Sequence, residues 1–343
     1  MPPAPPVAAL AARVLAVEPG QVSWTCLKGQ PTEHAVWRAD GPAAAIVLKA
    51  HRRGRSFPQE LRAYQDWLPR LPARERHAPS APPSPRERHD GSGAPRSIAE
   101  SGAPRPAFAT PTLRGVDLAD RILALSLAPG ARLSSGTHDP ATERGLAPPP
   151  APRARLSSGT HDLDAERTAH AAAGRFARAL HDLPAADDDP VPLLDAVRAR
   201  LARALDQAAP LLTPAERAAL ATHTAKLDAF AGAARTPCHR DFTPDNWLSS
   251  GTGSLTVLDF EHARLDAPEV DLVKLRAEVW LGRPDLAAAF LAGHGALTTD
   301  QAARLDVLLA LHAAATLAWA DRHVDATFRA RGRQALAAAL ASA

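Results

Sequence analysis

The stretch His239-Arg240-Asp241-Phe242-Thr243-Pro244-Asp245-Asn246, followed thirteen residues after Asn246 by Asp259, decides how this chain reads. A short strand over 246–248 leads out of it. Ser249-Ser250-Gly251-Thr252-Gly253 is turn chemistry, and the apolar run 255–260 makes a second strand. The resulting hairpin brings Asn246 and Asp259 together, with Asp241 at the head of the same loop. Two carboxylates and a carboxamide converging on one point offer only hard oxygen donors. Such a set suits Mg²⁺ and not zinc, with a base beside it.

The pattern His-x-Asp-x-x-x-x-Asn, a hairpin, then Leu258-Asp259-Phe260-Glu261 resembles the aminoglycoside phosphotransferase family. That resemblance implies an α+β, protein-kinase-like two-lobe fold: a small N-lobe with an antiparallel sheet plus a helix, and a large, mainly helical C-lobe. It implies ATP as phosphoryl donor, Mg²⁺ held by Asn246 and Asp259, and Asp241 as the catalytic residue that takes the acceptor's hydroxyl proton. Protein kinases carry Phe-Gly where this chain has Phe260-Glu261, which is the form seen in antibiotic and small-metabolite kinases. Ala267-Pro268-Glu269 spells the end of a protein-kinase activation segment, but only eight residues after Asp259. That is too short for a protein-docking loop, so the expected acceptor is a small hydroxylated molecule.

Working back toward the N-terminus, Lys49 closes the apolar run Ile46-Val47-Leu48. A lysine at a strand end is ordinarily a solvated charge. Here, however, 36 arginines stand against four lysines (Lys28, Lys49, Lys226, Lys274), and Glu60 follows eleven residues on, in a helix expected over 57–68. The resemblance implies an ion pair in which Lys49 contacts the nucleotide phosphates and Glu60 orients it. Leu61, Tyr64 and Leu68 share a buried face, and Glu60 is expected on its border. Gly29, in the turn 28–33, stands where the family has its loop over the phosphates, although an ordinary hairpin turn fits the same residues. Ser126-Leu127-Ala128-Pro129-Gly130 resembles the hinge between lobes, where adenine would meet the backbone of Ser126 and Ala128. Strands are expected over 21–26, 34–38, 45–50, 111–116 and 121–127.

With 343 residues and 45% apolar content, the chain has ample length for a two-lobed core. The N-lobe is expected over 1–127. Within it, 70–106 is an Arg-, Pro- and Ser-rich tract with too little apolar content to fold. A hinge and duplicated insert occupy 128–164, where Ala131–Asp139 and Ala154–Asp162 are identical in sequence. The helical C-lobe, with the catalytic loop and acceptor pocket, fills 165–343. There Thr213-Pro214-Ala215-Glu216 and Thr298-Thr299-Asp300-Gln301 read as capping boxes. His181 and Asp271 read as structural, and His239 as a brace for the loop.

A net charge of +3 is too small to imply nucleic acid, although the Arg-rich tract is a basic feature. Two cysteines suit a reduced cytosol, and neither a signal peptide nor a span long enough for a bilayer is evident, so no membrane is expected. Asp245, Glu261, Asp266 and Glu269 cluster near the reaction centre, with Glu278, Asp285 and Asp321 further along. An anionic mouth of that kind implies a neutral-to-cationic acceptor.

Overall fold

The computed structural model describes residues 3–28, 34–52, 54–72, 108–128, 131–132, 163–249 and 254–342. Gly29 with its turn, the Arg-rich tract beyond residue 72, and the duplicated segment beyond residue 132 lie outside those residues.

Alternation along two strands organises the N-terminal half. Helix α1 (Pro5–Leu15) precedes β1 (Ser23–Lys28), β2 (His34–Asp40) and β3 (Ala45–His51); after α2 (Ser56–Arg62) come β4 (Phe108–Ala109), β5 (Leu113–Asp117) and β6 (Ile122–Ser126). Strands 1, 2, 3, 6 and 5 form an antiparallel sheet in that order. Successive side chains in a strand point to opposite faces. In β3, Ile46, Leu48 and Ala50 pack on α1 together with Ile122 and Ala124 of β6. Lys49 and His51, at the alternate positions, face α2, and Leu123 and Leu125 of β6 join the main core on that side. One face of the sheet is therefore sealed by α1 and the other is turned to the functional residues. The seal is close at β5: a Cβ on Gly115 would lie 2.6 Å from Val14 Cγ2 of α1.

Helix α2 ends earlier than the sequence suggests, and a π turn over Ala63–Trp67 and a 3₁₀ turn over Leu68–Arg70 carry the chain on. Its buried face also differs from the expected one. Glu60 is 1% exposed and lies in the middle of that face, with Phe57, Tyr64 and Trp67, while Leu61 is only half-buried. A buried carboxylate needs a counter-charge, and β3 supplies it.

The C-terminal half begins after β7 (Ala131–Arg132). It contains α3 (Leu163–His181), α4 (Leu193–Ala208), α5 (Pro214–Thr222), β8 (Thr236–Cys238), β9 (Trp247–Ser249), β10 (Leu255–Val257), β11 (Arg264–Asp266), α6 (Val270–Lys274), α7 (Pro284–His294), α8 (Thr299–His323) and α9 (Ala326–Leu340). Both expected capping boxes are present: Thr213 with Glu216 opens α5, and Thr298 with Gln301 opens α8. By length and composition α8 could cross a membrane, yet 56% of its apolar window is buried inside the protein, as befits a core helix. Helices α3 and α7 cross on glycine, with Gly174 against the Phe290 carbonyl and Gly293 against the Ala171 carbonyl.

The expected hairpin is β9–β10, shorter than read from sequence, with Asn246 in a 3₁₀ turn just before it. The two-residue strands β4 and β7 flank it, making the order β4-β10-β9-β7. Beside it β8 pairs with β11. One apolar cluster runs from Phe57 and Leu125 under the sheet through Phe176, Phe242 and Phe260 to the C-terminal helices. The loop 239–246 is thereby set on a packed floor between the two halves.

Candidate active site

The loop from His239 to Asn246 is fixed at three places. His239 is fully buried; its Nε2–H donates to the Leu258 carbonyl (2.7 Å), and its Nδ1 accepts from the Asp241 N–H (3.2 Å). One imidazole thus ties the loop to the end of the hairpin. Asp271, 1% exposed, accepts from the backbone N–H of His239 (3.0 Å), from the N–H of Arg240 and from His181 Nε2 (2.9 Å). Burial alone would raise its carboxyl pKa; His181 and the backbone donors outweigh burial and hold it below the usual range. The third anchor is Asn246, whose Nδ2–H₂ donates to the Asp241 carbonyl (2.8 Å) and to its Oδ2 (3.0 Å). These grips hold two residues in the left-handed region, Arg240 (φ 66°) and Asp259 (φ 64°). Such backbone costs about 1–3 kcal/mol each and persists only where the surroundings impose it.

Asp241 is the residue so positioned. Lys274 of α6 donates to its Oδ1 while Asn246 holds Oδ2. Burial pushes its carboxyl pKa up, but the Lys274 charge and hydrogen bond outweigh that and bring it below the ordinary value, so the group is ionised. Lys274 was not singled out from sequence.

Lys49 gathers the second cluster. Its ammonium lies 2.9 Å from Glu60, 2.6 Å from Asp259 and 3.2 Å from Glu261, and its side chain is only 6% exposed. Burial disfavours the charged form, but the three carboxylates together raise its pKa above the ordinary lysine value. His51, one pleat along β3, places Nε2 2.9 Å from Glu60. The expected Lys49–Glu60 pair is therefore present, and it carries three further members, His51, Asp259 and Glu261. Three carboxylates on one ammonium leave an excess of negative charge for a divalent cation to offset.

The residues present fit such an ion. The hairpin register sets Asn246 across from Leu258, whose N–H donates to the Asn246 carbonyl (2.9 Å), so Asp259 follows directly. With its nitrogen committed to Asp241, the Asn246 carboxamide offers its oxygen. Asn246 and Asp259 then present an oxygen-only donor pair beside a carboxylate-rich cluster.

Of the hinge residues, Ser126 donates its N–H to the Thr112 carbonyl (2.8 Å), and its Oγ accepts from the Thr112 N–H (2.9 Å). That N–H is consequently not one that an adenine could use; the Ser126 carbonyl and the backbone of Leu127 and Ala128 are the other hinge groups. Gly29 falls outside the described residues.

Most of the acids expected at the mouth of the site are paired with cations. Asp266 is 2% exposed, with Arg200 at 3.1 Å, Arg240 at 3.2 Å and Arg264 at 3.9 Å. Glu269 is equally buried against Arg304 (2.8 Å), Glu261 faces Lys49, Asp285 pairs with Arg283 (2.9 Å) and Asp321 with Arg329 (3.4 Å). Arg240 is accordingly a partner of Asp266. Glu278 lies in the field of Asp241 and Asp245; burial, with the repulsion of Asp241 and Asp245, raises its pKa against the pull of Arg331 and Lys274.

No curated protein matches the sequence. Solved structures of similar fold include the GDP and kanamycin complex of APH(2'')-IIia, at 16% identity over 93% of each chain and a TM-score of 0.58. A macrolide 2'-phosphotransferase type I aligns at 18% identity over 96% of this chain and 95% of that one, with a TM-score of 0.55. A choline/ethanolamine kinase family protein from Mesorhizobium loti aligns at 16% over 96% and 92%, with a TM-score of 0.57. At these identities the likeness shows the kinase-like two-lobe fold. The family model described as the phosphotransferase enzyme family matches residues 29–306, most of the chain, and with the loop, hairpin and lysine cluster in place this protein belongs to that family.

Proposed function

We propose that the protein transfers the terminal phosphoryl group of ATP to a hydroxyl of a small molecule, with Asp241 addressing that hydroxyl. The observation that carries this reading is the state of Asp241. It is an ionised carboxylate pinned on both oxygens, at the head of a loop whose far end presents Asn246 to Asp259. Each carboxylate oxygen has two lone pairs, so an acceptor hydroxyl can donate to Asp241 while Lys274 and Asn246 stay in place. A carboxyl held below its usual pKa is a weak base. Asp241 therefore chiefly orients the hydroxyl and takes its proton late, which suits the loose transition state of phosphoryl transfer.

Lys49, steadied by Glu60, would bind the phosphates, and the backbone at Leu127 and Ala128 would receive the base of the nucleotide. Mg²⁺, when bound on Asn246 and Asp259, supplies charge neutralisation at the transferred group. A cytoplasmic setting is part of this proposal, and the free thiols of Cys26 and Cys238 support it. ATP-to-ADP conversion, followed with and without a panel of hydroxylated small molecules, tests the reading. Acceptor-dependent turnover that Asp241→Asn removes supports it, and turnover indifferent to that substitution refutes it.

A further inference from the structure

Between α4 and α8, floored by α6, lies a cavity of about 320 Å³. That is room for a small polar group and its carbon frame, at the lower end of ligand pockets. Its charged lining is Arg200, Arg203, Arg240 and Lys274, and no carboxylate lines it. Val273, Leu308 and Leu311 supply apolar wall. Beneath it the single buried carboxylate of Asp266 meets Arg200, Arg240 and Arg264, so one negative charge stands against three guanidiniums. Arg203 is exposed at the rim. Burial lowers the Arg240 pKa to about 10, with Arg264 and Arg200 opposing Asp266, as befits cationic charge in excess of its partners. His312, on the α8 wall, is held neutral by burial and by Lys274, and so adds donors and acceptors without charge.

Lys274 belongs to both places, lining the cavity and donating to Asp241. An ammonium has three donors, so it can serve the catalytic carboxylate and a second anion together. We propose that the acceptor is an acid, whose carboxylate or phosphate seats in this cavity on Arg200, Arg203 and Lys274 while its hydroxyl reaches Asp241. Arginine matches either anion through two parallel N–H donors. The same field disfavours polycationic acceptors, which reverses the charge expected from sequence, because the acids that expectation used are already bound to arginines. The proposal rests on the phosphotransferase reading for its reaction, but its binding half can be tested without turnover.

Two arms test it, each on the full chain with Arg203→Glu beside the parent. In the first, calorimetry measures binding of glycerate, glycerol 3-phosphate, glycerol and inorganic phosphate, with potassium chloride at matched ionic strength. The expected result is saturable binding of at least one anion, none of glycerol, and a loss of about tenfold or more in Arg203→Glu. Glycerate against glycerol 3-phosphate decides between carboxylate and phosphate, and Mg²⁺-ATP affinity reports whether the variant keeps its fold. In the second arm, a panel of hydroxy acids, phosphorylated polyols, neutral alcohols and aminosugars is compared by kcat/KM. An acid as the best acceptor, impaired in Arg203→Glu, supports the proposal. No anion binding, or a neutral or cationic best acceptor untouched by Arg203→Glu, overturns it. Anion binding without any phosphoryl transfer would keep the cavity and fail the reaction assignment instead.

Discussion

Asp241 and Lys49 answer to different charges, and substituting them should separate chemistry from nucleotide binding. Asp241→Asn keeps the shape and the Asn246 contact but loses the anion that receives the hydroxyl proton. It should leave Mg²⁺-ATP affinity near the parent's and lower kcat by about a hundredfold or more, since positioned proton transfer contributes about 10²–10⁴. Calorimetry beside turnover checks this, and equal kcat would remove Asp241 from the mechanism. Lys49→Ala leaves Glu60, Asp259 and Glu261 facing one another without their ammonium. Uncompensated buried charge costs about 3–5 kcal/mol, so this variant should lose both nucleotide affinity and melting temperature. A variant with normal melting and normal affinity would show that the phosphates bind elsewhere. Lys49 was legible in the sequence because lysine is rare in this chain. The same rarity holds for Lys274, three residues after Asp271 on the helix that grips the 239–246 loop, although the sequence reading did not single it out. Lys274 went unread because its partner Asp241 is 33 residues away, and no local spacing joins them.

Elements came through the sequence in proportion to their length and periodicity. The helices with capping boxes, α5 and α8, begin where their boxes predict. The strands β4 and β7 have two residues each and no alternation to read; they exist because the β9–β10 hairpin leaves open edges that the chain covers. Close helix contact was equally hidden. A Cβ on Gly174 would stand 2.1 Å from the Phe290 carbonyl oxygen, and backbone cannot swing aside as a side chain can. Gly174→Ala should therefore destabilise the fold by about 1–3 kcal/mol or more despite alanine's better helix propensity, measured as a lower urea midpoint. An unchanged midpoint would mean that α3 and α7 can separate freely. At the loop, Asp271→Asn removes the charge that three donors share. Expected are a lower urea midpoint, by about 1.5–3 kcal/mol, and a fall in kcat, because Arg240 is no longer held in its left-handed conformation. Full activity in that variant would show that the loop holds its shape without the brace.

At the scale of the whole molecule, the two-lobe frame was readable because the motifs follow one another in family order; the charge of the acceptor region was not, because it depends on which acid meets which arginine across the fold. Asp266 and Glu269 sit next to the active-site motifs in sequence, yet they are consumed by Arg200 on α4 and Arg304 on α8. The same long-range burial sets how the molecule responds to acid. His170, His223, His294 and His312 lie on separate helical segments, and burial lowers the pKa of all four, to about 4 for His312. His312 faces Lys274 from α6, Glu278 at 4.0 Å, Asp241 across the loop, and the arginines of the cavity. An imidazole whose folded pKa is lowered takes up its proton first in the unfolded chain. Its stabilising contribution is thus complete above the unfolded value of about 6.5 and is lost as pH falls from there toward 4. For His312 alone that amounts to at most ~3 kcal/mol over the full interval. Asp241 and Asp271, also lowered, add their own acid loss only below the ordinary carboxylate range, while the raised Glu278 gains stability on protonation, so between pH 7.5 and 5 an acid loss comes from the histidines. Urea unfolding across that window should show the parent weakening steadily with acid. His312→Gln, which cannot titrate, should show a visibly shallower decline. Parallel declines in the two proteins would mean that His312 is freely solvated and titrates as it does in the unfolded chain.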